Sequence, residues 1–194
     1  MSAHPAALAT AHLPRTPVVQ SPCPVLVLGV GNLLLGDEGF GIHALRRFER
    51  EPPLAGVRPL VGGMPGVNLV TEFDGVRAVI LLDATRDGRP AGTISCLQPR
   101  DAGELPHGVG AQDLGLKDLF AALALLGRAP VLHLLSVSIS SIQHSGQGLS
   151  REVASALPPV VWMAHGQAAR LALELAGPAV FHQPLRAGGQ RMRS

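Results

Sequence analysis

Residues 24–30 read Pro-Val-Leu-Val-Leu-Gly-Val, and Gly31 and Asn32 follow them directly. An apolar run without polar alternation is typical of a strand that is buried on both faces of a parallel sheet. Glycine and asparagine favour turns, so they mark the end of this strand. The stretch therefore predicts the first strand of an α/β domain.

Apolar runs and helix signals alternate along the chain that follows. Strands are predicted at residues 57–61, 77–83, 93–97 and 131–139, and helices at residues 37–50, 66–74, 114–126 and 150–175. Asp37 is predicted to cap the first helix. Pro158 and Pro159 are predicted to kink or split the last one, because proline removes a hydrogen bond inside a helix.

The order of these elements predicts a doubly wound, mostly parallel sheet. Right-handed crossovers place the first strand between the second and the third. The connection at residues 84–92 is too short for a crossover helix, so the strand at 93–97 is expected to run antiparallel at an edge.

The amino-acid composition excludes several classes of protein. A chain of 194 residues fits one domain, and 46% hydrophobic residues exclude disorder throughout. A formal net charge of +2, with 3% aromatics, argues against a nucleic-acid partner. Two cysteines make no disulfide framework, and no apolar run approaches the ~20 residues that span a bilayer. We therefore expect a cytoplasmic protein with no membrane partner.

Three regions are expected along the chain. Residues 1–22 contain four prolines and are predicted to be a disordered leader. Residues 23–176 form the single domain, and residues 177–194 a flexible basic tail.

Two carboxylates are predicted to meet at one edge of the sheet. Ligand sites in doubly wound sheets lie beyond the carboxyl ends of the strands. Glu38, after the first strand, and Asp83, at the end of the third, both fall there. Such a pair can contact a divalent metal or transfer protons. Taken singly, Glu38 also fits a carboxylate that favours a helix start, and Asp83 an ordinary turn residue.

Other motifs are weaker. Gly29-Val30-Gly31 invites a dinucleotide-binding interpretation, but Leu34 stands where that fingerprint needs glycine. The second strand also ends in Val61 rather than in a ribose-binding acid. Serines 136, 138, 140, 141 and 145 are interpreted as ordinary polar residues of the fifth strand and its exit loop.

Residues 25–41 resemble the opening signature of the NiFe hydrogenase maturation peptidases. Gly62-Gly63, Leu82-Asp83-Ala84 and residues 113–119 match later blocks of that family in the same order. The resemblance covers roughly residues 24–175. It implies a three-layer α/β/α fold around a twisted five-stranded sheet with one antiparallel edge strand.

The resemblance also implies an activity. Members of this family are metal-dependent endopeptidases that remove a C-terminal extension from the nickel-loaded precursor of a hydrogenase large subunit. Glu38 and Asp83 match the family's catalytic acids, which contact nickel held by the precursor. The family's third metal-contacting position is a histidine, and Gln112 stands there in this chain.

That departure leaves alternatives open. Gln112, His107 or His144 is a candidate for the third metal position. Val61 also stands where many relatives carry an acid. A catalytically impaired paralogue that binds a hydrogenase subunit as an assembly factor is therefore the alternative to an active peptidase.

Overall fold

The computed structural model describes residues 23–63, 67–105, 113–140 and 148–176. The predicted leader at 1–22 and tail at 177–194 lie outside these residues. Within the described ranges, no helix is long and apolar enough to cross a membrane.

Five strands form one sheet. They are β1 (Val25–Val30), β2 (Val57–Gly63), β3 (Ala78–Thr85), β4 (Ile94–Leu97) and β5 (Val131–Ser138). Their order is β2-β1-β3-β5-β4, and all pairs are parallel except β4 with β5. This confirms the predicted sheet, with β1 between β2 and β3 and an antiparallel strand at one edge. The other edge strand, β2, carries Pro59 opposite Val27.

Helices cover both faces of the sheet. They are α1 (Phe40–Phe48), α2 (Asp113–Leu125), α3 (Arg151–Ser155) and α4 (Leu157–Leu175), with 3-10 segments at Leu33–Gly39, Val67–Phe73 and Ala102–Glu104. One core packs the sheet against α1, α3 and α4. A second core packs the opposite face against α2 and the Val67–Phe73 segment. The fold is therefore the predicted three-layer α/β/α arrangement.

The predicted break in the last helix is confirmed. The chain divides at Ala156 into α3 and α4, with Pro158 near the start of α4, where its missing N–H costs nothing. Ser150 caps α3, since its hydroxyl accepts a hydrogen bond from Val153 N at 3.4 Å.

The predicted start of the first helix is wrong. Residues 33–39 form a 3-10 segment, in which Leu35 and Gly36 depart from helical geometry, and α1 begins only at Phe40. Asp37 does not cap α1. Its Oδ1 accepts a hydrogen bond from Ser150 N at 2.6 Å, and the side chain is buried. A partner 113 residues away thus overrides the local signal.

Candidate active site

Close backbone packing fixes the start of α1 at the carboxyl edge of the sheet. A Cβ atom on Gly41 would lie 2.1 Å from the carbonyl oxygen of Leu82 and 2.4 Å from that of Val30. Only glycine, which has no Cβ, fits this close to the two carbonyl oxygens. The first turn of α1 therefore touches the ends of β1 and β3 directly.

The same packing holds the backbone of Glu38. Asn32 N donates to the carbonyl oxygen of Glu38 at 3.3 Å. Gly31, at φ +129°, leaves room for that oxygen, which would lie 2.0 Å from a Cβ at position 31. A side chain at residue 31 would thus displace Glu38.

The structure places both predicted carboxylates at this edge. Glu38 precedes Gly41 by three residues, and Asp83 follows Leu82, which Gly41 contacts. Glu38 is 3% exposed and Asp83 is fully buried. One oxygen of Asp83 accepts a hydrogen bond from Ala84 N at 2.7 Å. Two buried carboxyl groups near one strand end can bind a cation or exchange a proton.

Asp83 belongs to a polar group on the α2 face of the sheet. Side chains alternate along β3 and β5, and Leu81 and Leu134 belong to the core under α2. Two positions later, Asp83 pairs with Ser136 across the two strands, and Thr85 then pairs with Ser138. The four side chains are at most 2% exposed, so the end of this face is buried but polar.

The hydroxyls in this group differ in their partners. Ser138 Oγ donates to Asp87 Oδ2 at 3.1 Å, and Arg89 bonds both Asp87 and Ser95. Burial opposes ionisation of Asp87, but hydrogen bonds from Arg89 and Ser138 prevail and hold the pKa of this carboxyl below its ordinary value. Thr85 Oγ1 and Ser136 Oγ have no hydrogen-bond partner within the described part of the chain.

Our sequence interpretation of Ser136 and Ser138 as ordinary strand residues missed this placement. The signal was their even spacing from Leu132 and Leu134, which puts all four on one face of β5. The pairing of Ser136 with Asp83 required the register of the sheet, which a single sequence does not supply.

His133 lies away from the edge, three residues before Ser136 on β5 and opposite Ile80. Its side chain is 5% exposed. Burial, and then the charge of Arg170, lower the pKa of His133 below its ordinary value of 6.5, and Glu174 opposes this in part. The imidazole of His133 therefore lies on the face that α4 covers, and not beside Asp83.

The third metal position stays a prediction. A turn at Gly127 connects α2 to β5, so α2 runs antiparallel to the parallel strands. Its first residue, Asp113, therefore lies towards the carboxyl edge of the sheet. Gln112 precedes it in the sequence, but Gln112, His107 and His144 all lie outside the described residues. Among the residues that are described, no three His, Cys, Asp or Glu side chains could hold a metal together.

Known proteins are similar to this chain in sequence or in fold. The hydrogenase expression/formation protein HupM of Azotobacter chroococcum mcd 1 is 33% identical over 147 residues, which are 72% of this chain and 69% of that protein. The solved structure of the hydrogenase maturating endopeptidase HybD from E. coli matches with a TM-score of 0.69 at 28% identity, over 76% of this chain and 93% of that one. The chain belongs to the hydrogenase maturation protease family.

A further relative supports this family membership and shows what share of the family members' length the chain matches. The hydrogenase expression/formation protein HupD of Thiocapsa roseopersicina is 31% identical over 148 residues, which are 72% of this chain and 65% of that protein. The chain thus spans about two thirds of the length of these curated family members. No protein-family profile matches it.

Proposed function

We propose that this protein is an endopeptidase that removes a C-terminal extension from the nickel-loaded precursor of a hydrogenase large subunit. The observation that carries the proposal is the placement of Glu38 and Asp83, two buried carboxylates, at one edge of the sheet. Its support from comparison is the 28% identity to a structure described as a hydrogenase maturating endopeptidase.

In this mechanism the nickel is part of the substrate and arrives with the precursor. Carboxylate oxygens of Glu38 and Asp83 contact the metal, and the side-chain amide oxygen of Gln112 supplies a weaker third contact. A metal held there polarises the scissile carbonyl or an attacking water molecule. Cleavage thus depends on the metal, and the protease acts only on a precursor that has already received nickel.

The cytoplasm is the compartment that we propose for this reaction. Cys23 and Cys96 are both free thiols, and Cys96 is exposed, which suits a reducing environment. The proposed partner is the hydrogenase large-subunit precursor.

The intact mass of the precursor tests the proposal. The cognate precursor is expressed with nickel, with and without this protein, and a parallel culture is starved of nickel. We expect a loss of mass equal to a C-terminal peptide only when the protease and nickel are both present. An unchanged mass in the presence of both would contradict the proposal.

Gln112 motivates a second candidate function. A paralogue that has lost the histidine would bind the precursor as an assembly factor without cutting it. Size-exclusion chromatography of the mixture would then show a stable complex with an uncut precursor. The variant Gln112→His separates the two functions, since a large gain in cleavage indicates lost chemistry, whereas no change indicates another arrangement of the site.

A further inference from the structure

Ser136 lies beside Asp83 at the carboxyl edge of the sheet. The two residues are partners in the parallel pairing of β3 with β5. Neighbouring strands are about 4.8 Å apart, so side chains on one face at paired positions lie within reach of each other. Both belong to the α2 face, because each stands two residues after a leucine of the core under α2.

The Ser136 hydroxyl is buried without a hydrogen bond to any described residue. The side chain is 1% exposed, and Oγ has no partner within the described part of the chain. Burying a polar group without a hydrogen bond destabilises a protein, so the presence of this hydroxyl calls for an explanation. The groups nearest to this hydroxyl in the sheet are those of its neighbours on the adjacent strands.

Two neighbours flank Ser136 in the sheet. Asp83 is its partner on β3, and Ser95 is its partner on β4. The hydroxyl of Ser95 already accepts a hydrogen bond from Arg89. A carboxylate is the stronger acceptor for a serine hydroxyl, because hydrogen bonds to an ionised oxygen are shorter and stronger than neutral ones.

We propose that Ser136 is a positioning residue for Asp83, whose carboxylate it orients by donating a hydrogen bond when the precursor is bound. The inference rests on the proposed endopeptidase function. Hydrogen bonds in a catalytic site are often long or misaligned before the substrate binds and tighten in the complex.

The kinetics of precursor cleavage test this role. Ser136→Ala removes the hydroxyl and leaves a smaller side chain, so the protein folds with an unchanged or raised melting temperature. Groups that orient a metal-contacting carboxylate are worth about 10- to 100-fold in activity. We expect kcat to fall by that factor while KM for the nickel-loaded precursor stays within about twofold, because the precursor's own contacts are retained.

Thr85→Val is the matched control. Thr85 Oγ1 is also buried and also has no partner among the described residues, but it lies two residues further along β3 and pairs with Ser138. If removal of a buried hydroxyl acted only through stability, both variants would behave alike. We expect Thr85→Val to keep the wild-type kcat, and Ser136→Thr, which restores a hydroxyl, to recover most of the activity lost in Ser136→Ala.

The outcomes separate this inference from the proposed function. If the wild-type protein cleaves the precursor and Ser136→Ala cleaves it with the same kcat, the positioning role is wrong and the function stands. If Thr85→Val loses as much activity as Ser136→Ala, the positioning role is also wrong. Failure of the wild-type protein to cleave overturns the proposed function and this inference together.

Discussion

The two faces of the sheet differ at its carboxyl edge, although the same strands form both. On the face that α1 and α4 cover, Leu82, Ala84, Val137 and Ile139 keep the core apolar to the end of β3 and β5. On the α2 face, the corresponding last positions are Asp83, Thr85, Ser136 and Ser138. Burial is nearly equal, at 0–3% exposure on both faces. One face thus contributes packing, whereas the other holds polar groups inside the protein.

This difference shows how a small domain can bury polar groups at one face of its sheet without losing its core. The apolar face lets α1 approach so closely that Gly41 meets the backbone of Leu82. The contact fixes Glu38 and the end of β3 together. Asp83 lies on the polar face and directly follows Leu82, so the same contact holds its backbone. A precisely positioned carboxylate requires such support.

The largest expected effect is on cleavage when either carboxylate is neutralised. Glu38→Gln and Asp83→Asn should leave the precursor uncut, because an amide neither carries the charge that a metal favours nor accepts a proton as well. Intact mass measures the cleavage, and circular dichroism checks the fold.

Asp37→Asn is the matched control for these variants. Asp37 is a third buried acid, but its Oδ1 accepts from Ser150 N, which an asparagine oxygen can also do. Cleavage should persist in this variant. Full cleavage by both Glu38→Gln and Asp83→Asn would contradict the assignment of the two acids.

A methyl group at position 41 should disrupt the packing of α1 against the apolar face of the sheet. Gly41→Ala forces a Cβ to within 2.1 Å of the Leu82 carbonyl oxygen, so α1 must move away from the sheet. We expect the free energy of unfolding to fall by about 3 kcal/mol, near the upper end of overpacking effects. Urea denaturation measures the change. Gly166→Ala in α4, where a Cβ would meet no atom within 4 Å, should instead stabilise by about 0.5–1 kcal/mol.

A hydroxyl buried on the apolar face should destabilise the protein more than the loss of one from the polar face. Ala84 is 2% exposed on the apolar face, so Ala84→Ser buries a hydroxyl among hydrocarbon side chains. We expect a loss of about 1–2 kcal/mol in the free energy of unfolding. Ser136→Ala, the reverse change on the polar face, should leave this free energy unchanged or raised. An equal loss in both variants would show that the faces do not differ in this respect.

The smallest expected effect concerns His133, a polar residue on the apolar face. Burial holds its pKa in the folded protein below 6.5, its ordinary value. The unfolded chain therefore takes up a proton first as the pH falls, and stability declines from pH 6.5 down to the pKa of the folded protein. His133→Leu should remove this part of the acid sensitivity. Melting temperatures at pH 5 and 7.5 measure it, and an unchanged difference between the two would contradict this role.

Much of the fold was predictable because its signals are local. The continuous apolar runs identified the buried strands, and the short connection at residues 84–92 identified the antiparallel edge strand β4. Pro158 and Pro159 marked the division of the last helix, since proline acts on its own turn. The resemblance in residues 25–41 supplied the family.

The rest depends on contacts between distant residues. Asp37 had the local features of a helix cap, yet its carboxylate accepts a hydrogen bond from the backbone N–H of Ser150, 113 residues away. α1 begins only at Phe40, and Gly41 in its first turn contacts Leu82, a residue that is distant in the sequence. Ser136 was likewise missed because its pairing with Asp83 is a property of sheet register.

The two edge strands of the sheet affect how readily the protein aggregates in solution. An exposed strand edge is a template on which another chain can add a strand, the first step towards amyloid. Here β4 has only four residues, and β2 contains Pro59, which lacks an N–H, beside Arg58, whose charge is paired with Glu72. Both edges are poor templates. A sequence with 46% hydrophobic residues is thereby protected from aggregation at the borders of its sheet.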